Sequence, residues 1–189
     1  MPRKRTISDD RLLDAALEIA HRRGPEALSF GALAAATGLA ASTLVQRFGT
    51  RPEMLRATLQ RAWDQLDRHT ADADAGAGDG PAGVVALLVG LTGSYPADDA
   101  GDYADQLLLL REDLRDPVLR ARGAAWIDTL VAAVERRLGG AAVGPLVVAH
   151  WQGLLTVWAF TRPAPLAGFV ADGLGDLLTL LQRGVTSGV

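Results

Sequence analysis

Between Ser29 and Leu55 the chain reads SFGALAAATGLAASTLVQRFGTRPEML. The polar groups that matter here are hydroxyls, one amide and two guanidiniums. Hydroxyls and guanidiniums hydrogen-bond to phosphate oxygens, and a glutamine amide can pair bidentately with adenine. Small apolar groups can meet thymine methyls. Gln46 is the foremost candidate base reader, with Ala41 and Thr43 as candidates for methyl contact. Arg47 suits guanine or a phosphate, with phosphate preferred. Ser29, Thr43 and Arg51 are further phosphate candidates, and Ser42 completes the polar set. Each has a plainer reading beside it: Ser29 as a helix cap, Ser42, Thr43 and Gln46 as solvated surface.

This chemistry needs short helices that present those side chains together. Ser8 or Asp9 can cap a first helix over about 8–22, with Leu12, Leu13, Ala16, Ile19 and Ala20 as its apolar stripe. Ser29 can cap a second over about 30–36, and Gly38 supplies a turn before a third at about 41–47. Two-turn helices are not stable alone, so the first helix must supply a third side. Ala34 fits a close helix crossing. Leu39, Leu44 and Phe48 are expected to point inward. Small residue, glycine and buried aliphatic at this spacing form a helix-turn-helix. Its second helix would enter the major groove of double-stranded DNA with its N-terminal residues facing base edges. Thr50 and Glu53 predict a capping box opening a fourth helix, with Pro52 in its first turn. The arm Arg3-Lys4-Arg5 suits the DNA backbone or minor groove.

With its flanks, the segment resembles the TetR family signature: Ser29, Ala34, Gly38-Leu39, Leu44-Val45-Gln46-Arg47-Phe48 and Arg51-Pro52-Glu53-Met54-Leu55. The likeness covers about 50 N-terminal residues. Two positions depart. Val45 stands where the family usually has a Tyr that commonly touches a phosphate or thymine methyl, so the hydroxyl contact is lost and only apolar contact is left. Arg51 replaces the usual Lys, keeping charge in a forked geometry. The resemblance implies an all-α protein. A three-helix DNA-binding head over 1–52 would precede a larger helical bundle over 53–189 for effector binding and dimerisation. It implies a cytoplasmic repressor, a homodimer through its last two helices, released from operator DNA by a small-molecule effector. It implies no enzyme and no cofactor. Trp63, Tyr103, Gln106, Trp126, His150, Trp151 and Trp158 are the candidate effector contacts, and the four Trp favour an apolar or aromatic compound. The competing reading is a small-molecule-binding helical bundle whose helix-turn-helix is vestigial.

The rest of the chain agrees with that outline. Residues 1–62 carry a net charge of +4 and residues 63–189 one of −7, a basic front on an acidic body. The chain has no Cys, which excludes disulfides, thiolate metal sites and thiol catalysis. His21, His69 and His150 are scattered, so no metal is expected. The acidic group Asp98, Asp99, Asp102 and Asp105 reads as loop and helix-start charge. Residues 71–80 (ADADAGAGDG) read as a mobile surface loop. Further helices are expected at about 81–94, 101–113, 117–138, 142–161 and 165–183. The last two are apolar beyond the needs of one face, which argues for burial on two sides.

Overall fold

The computed structural model describes the backbone of residues 7–92 and 100–186, and side chains over 7–92 and 107–183. Among the described residues the chain is helical throughout. The α-helices are α1 (Asp9–Arg23), α2 (Phe30–Thr37), α3 (Ala41–Phe48), α4 (Arg51–Gly76), α5 (Gly80–Thr92), α6 (Ala100–Arg115), α7 (Pro117–Arg137), α8 (Gly144–Thr161) and α9 (Leu166–Thr186). A 3₁₀ turn at Pro25–Ala27 links α1 to α2. The chain forms two compact units. The first comprises 1–66 with 101–123, the second 67–100 with 124–189. None of the described helices is long and apolar enough to cross a membrane.

In the first unit the helix ends follow local chemistry. Ser8 caps α1, accepting from the Arg11 N–H at 3.4 Å. Asp9 and Asp10 lie at its positive end and His21, Arg22 and Arg23 at its negative end. Ser29 caps α2 by accepting from the Ala32 N–H at 3.1 Å. Gly38 closes α2 in the left-handed region (φ 71°, ψ 11°), where a side chain would be strained. The capping box of α4 is formed: the Thr50 N–H donates to the Glu53 carboxylate at 2.7 Å, and the Glu53 N–H to the Thr50 hydroxyl at 3.4 Å.

The helix pattern converges on one small core. Leu12, Ala16, Leu28, Leu33, Leu44 and Met54 are fully buried, and Phe30, Ala34, Leu39 and Phe48 pack against them. Complete burial of each leucine stabilises by roughly 1.5–3 kcal/mol. Leu44 is the inward anchor of α3, so truncating it would free the helix that carries the polar groups.

The second unit corrects one expectation. Residues 71–76 are not loop: α4 continues to Gly76. Arg137 holds this end. Its guanidinium donates to the carbonyl oxygens of Asp74 (2.7 Å), Ala77 (3.2 Å) and Gly78 (2.9 Å), and pairs with the Asp74 carboxylate. A cation satisfying a helix's last carbonyls offsets the weak propensity of Gly and Asp. α9 packs along α8 and α5. Gly173 permits the close approach to α8, since a Cβ there would lie 2.6 Å from a Leu154 methyl.

Candidate nucleic-acid interface

α3 has two distinct faces. Leu44 is fully buried, and Thr43, Arg47 and Phe48 are partly buried. Ala41, Ser42, Val45 and Gln46 are exposed. Three of the expected contacts, Ala41, Ser42 and Gln46, therefore share one surface. Val45, which stands at the position of the family's usual Tyr, belongs to the same face and is 44% exposed.

The two arginines are tied into the first unit. Arg47 donates from one amino group to the Ile7 carbonyl oxygen at 2.7 Å and to Asp9 at 3.0 Å. Arg51 donates from Nε to the Leu28 carbonyl oxygen and from its amino group to that of Pro25, both at 2.8 Å. Each guanidinium has five N–H donors and keeps its charge, so these bonds leave donors over. Ser29 is exposed and acts as a cap. The Arg3-Lys4-Arg5 arm lies outside the described residues. Thr50 holds the Glu53 carboxyl below its ordinary range, first through its hydroxyl and then through its backbone N–H.

The aromatic candidates fall in different places. Trp63 is partly buried in the first unit and donates from Nε1 to Asp113 at 3.1 Å. A Cβ at Gly123 would stand 3.2 Å from the Trp63 ring, so the absent side chain makes room for the indole. Burial pushes the Asp113 carboxyl up to about 6; the Trp63 hydrogen bond opposes this, and the neighbouring Asp116 and Glu112 charges add to it. Sequence reasoning missed Asp113, because nothing in LLLLREDLRD distinguishes a half-buried acid from its solvated neighbours. Asp116 lies below the ordinary range because Arg56 donates to it.

In the second unit Trp126 and Trp151 are buried with ring centroids 6.4 Å apart. Their indole N–H groups donate to Thr70 (2.9 Å) and Thr92 (3.1 Å). Trp158 is buried and donates to the Ala164 carbonyl oxygen at 2.8 Å. His150 Nε2 lies 3.2 Å from the Gly173 carbonyl oxygen. These four are thus hydrogen-bonded where they stand. Tyr103 and Gln106 are on α6, but their side chains lie outside the described residues, as do those of Asp98, Asp99, Asp102 and Asp105. No group of three metal-binding side chains occurs among the described residues. A cleft of about 110 Å³ in the first unit is lined by Pro52, Leu55, Arg56, Leu59, Glu112, Asp116 and Leu119. Ligand pockets usually measure about 300–1,000 Å³, so this cleft is too small for most effectors.

Residues 12–58 match the family of bacterial regulatory proteins, tetR family. Against curated proteins the sequence gives no match. Solved structures share the fold. A transcriptional regulator from Rhodococcus sp. Rha1 is 19% identical with a TM-score of 0.72, covering 92% of this chain and 97% of its own. The multidrug binding protein EbrR, complexed with proflavin, is 23% identical with a TM-score of 0.64, over 88% of this chain and 97% of its own. A putative transcriptional regulator from Saccharomonospora viridis, in complex with choline, is 20% identical with a TM-score of 0.68, over 89% and 94%. The helix-turn-helix is thus built on its expected core, residues 12–58 resemble the tetR family across that motif, and the fold over most of the chain is one shared with these solved structures.

Proposed function

We propose that the chain is a homodimeric, cytoplasmic repressor that leaves its operator when a small molecule binds the body. The exposed polar face of α3 carries the reading. Gln46 reads adenine, and Ala41, Ser42 and Thr43 touch bases or backbone nearby. Ser29, Arg47 and Arg51 contribute to the phosphate field. The functional division falls at residue 52, with DNA contact before it and effector binding and dimerisation after it.

Dimerisation through α8 and α9 is supported by apolar side chains that one copy leaves open. Leu146 (51%), Val157 (50%) and Phe160 (88%) are exposed on α8, and Leu180 (64%) on α9. Leu146, Gly153, Val157 and Phe160 recur at helical spacing, and a Cβ at Gly153 would meet nothing within 4 Å. Such a stripe suits a second copy packed across a two-fold axis.

An effector is supported by EbrR and the Saccharomonospora viridis regulator, whose structures hold proflavin and choline. Trp63, partly open and beside Asp113, is the aromatic wall we assign to it. Release requires only that the effector favour the state in which the two α3 helices no longer match successive major grooves, roughly 34–36 Å apart.

Anisotropy titration against DNA upstream of the chain's own gene, at two salt concentrations, tests this. Selective binding to a near-palindrome is expected, with log K falling by about 0.9 per log unit of salt for each phosphate neutralised. Gln46→Ala should relax sequence preference. Equal loss on every sequence would remove Gln46 as a base reader, and sequence-blind binding throughout would overturn the regulator reading.

A further inference from the structure

We infer that Asp9 is a built-in competitor of the DNA backbone: its carboxylate holds the Arg47 guanidinium against the protein, and a phosphate must displace it before Arg47 can join the phosphate field. This rests on the proposed role of Arg47 as a phosphate contact. Asp9 then sets how tightly the head grips any DNA and leaves sequence preference alone. The two residues are 38 positions apart, Asp9 opening α1 and Arg47 in the last turn of α3. One amino group of Arg47 donates both to the Ile7 carbonyl oxygen at 2.7 Å and to the Asp9 carboxylate at 3.0 Å. The side chains of Arg47 and Asp9 are 25% and 65% exposed, so the pair is open to solvent.

The Ile7 carbonyl is neutral. It fixes where the guanidinium points but cancels no charge, whereas Asp9 does cancel it. Arg51 offers the contrast: it is held by the neutral carbonyl oxygens of Leu28 and Pro25, and so keeps its full charge for DNA. α1 does not need Asp9 to begin. Ser8 caps it, and Asp10 also stands in its first turn, where it pairs with Arg61 at 3.5 Å. A carboxylate and a phosphodiester are both anions that accept from guanidinium N–H groups. A phosphate brought to a guanidinium that is already paired puts two like charges across one cation, so either the pair breaks or the anions repel. An exposed pair of this kind shifts an equilibrium by up to about fivefold. The expected penalty is therefore about threefold for each head that docks.

The test uses the full chain in anisotropy titrations at one salt concentration. The probes are a duplex selected from random DNA for binding and a scrambled duplex of the same length, and thermal melting checks that each variant is folded. Asp9→Asn keeps the size of the side chain and removes its charge. It should tighten binding about threefold per head on both duplexes, with their ratio unchanged. Asp10→Asn removes the same charge one residue on, where it faces Arg61, and should tighten binding less. In an Arg47→Ala chain, Asp9→Asn should have little effect, since no guanidinium is left to release. Unchanged or weaker binding by Asp9→Asn would overturn the inference. So would an equal gain from Asp10→Asn, or a full gain in the Arg47→Ala chain, either of which would make Asp9 one charge among many. An Arg47→Ala chain that binds DNA as tightly as the parent would instead remove the phosphate contact on which the inference rests, and a parent that binds neither duplex would remove the DNA-contact reading itself.

Discussion

Arg51 Nε donates to the carbonyl oxygen of Leu28 across 2.8 Å, binding the first residue of α4 to the connection between α1 and α2. A side chain proposed to meet phosphate is therefore also a brace. Hydrogen bonds from a charged donor are worth about 1.5–3 kcal/mol each when buried, and less at an exposed residue. Arg51→Ala should lower stability by about 2 kcal/mol in urea denaturation. Arg51→Lys keeps the charge but cannot span both carbonyls and should fall between. An Arg51→Ala chain as stable as the parent would show that water replaces both bonds at no cost.

Arg137 should matter more. It is 8% exposed, and its removal would leave the carbonyl oxygens that end α4 without their donor, while the Asp74 carboxylate keeps its pair with Arg136. Breaking a buried pair outright costs about 3–5 kcal/mol, and the remaining Arg136 pair and the partial exposure of Asp74 put this case below that range. Arg137→Ala is expected to speed amide exchange over residues 73–77 well before it affects the first unit. Unchanged exchange there would mean that α4 holds its last turn without the clamp.

Asp113 makes stability depend on pH in a stated direction. Its carboxyl is raised to about 6 by burial. The folded state thus binds the proton more tightly than the unfolded chain, whose aspartate titrates near 4. The stabilisation is fully present below about pH 4 and lost as pH rises through about 6. The group is partly open to solvent, so the effect is of order 1 kcal/mol. Asp113→Asn should be more stable than the parent at pH 7.5 and lack this pH dependence. The indole N–H resonance of Trp63 should shift with a midpoint near pH 6 in the parent; a flat titration would contradict the raised value.

The proposed dimer face is testable by charge. Phe160 is 88% exposed and Val157 50%. Glu at both positions leaves the fold of one copy intact but would bury two carboxylates in the interface. Sedimentation should show a dimer for the parent and a monomer for Val157→Glu with Phe160→Glu. A monomeric parent, or a dimeric variant, would place the interface elsewhere.

By itself the sequence determined the helices of the head and their punctuation. Ser29, Gly38, Thr50 and Glu53 act within a turn of themselves, through caps and a positive φ that local chemistry dictates. Leu12, Ala16 and Leu44 were legible as core because helical periodicity fixes which side of a helix they share. The tertiary structure decided what depends on distant partners. Arg137 lies about 60 residues from the carbonyls it satisfies, so residues 71–76 read as loop until that guanidinium was in place. Arg47 reaches back 40 residues to Ile7, which turned a presumed outward charge inward. Asp113 is an ordinary acid in the sequence, and only burial, opposed by the Trp63 hydrogen bond, raises its carboxyl to about 6. Local rules see neighbours within about one helical turn; burial and long-range hydrogen bonds are set by where the chain returns to itself.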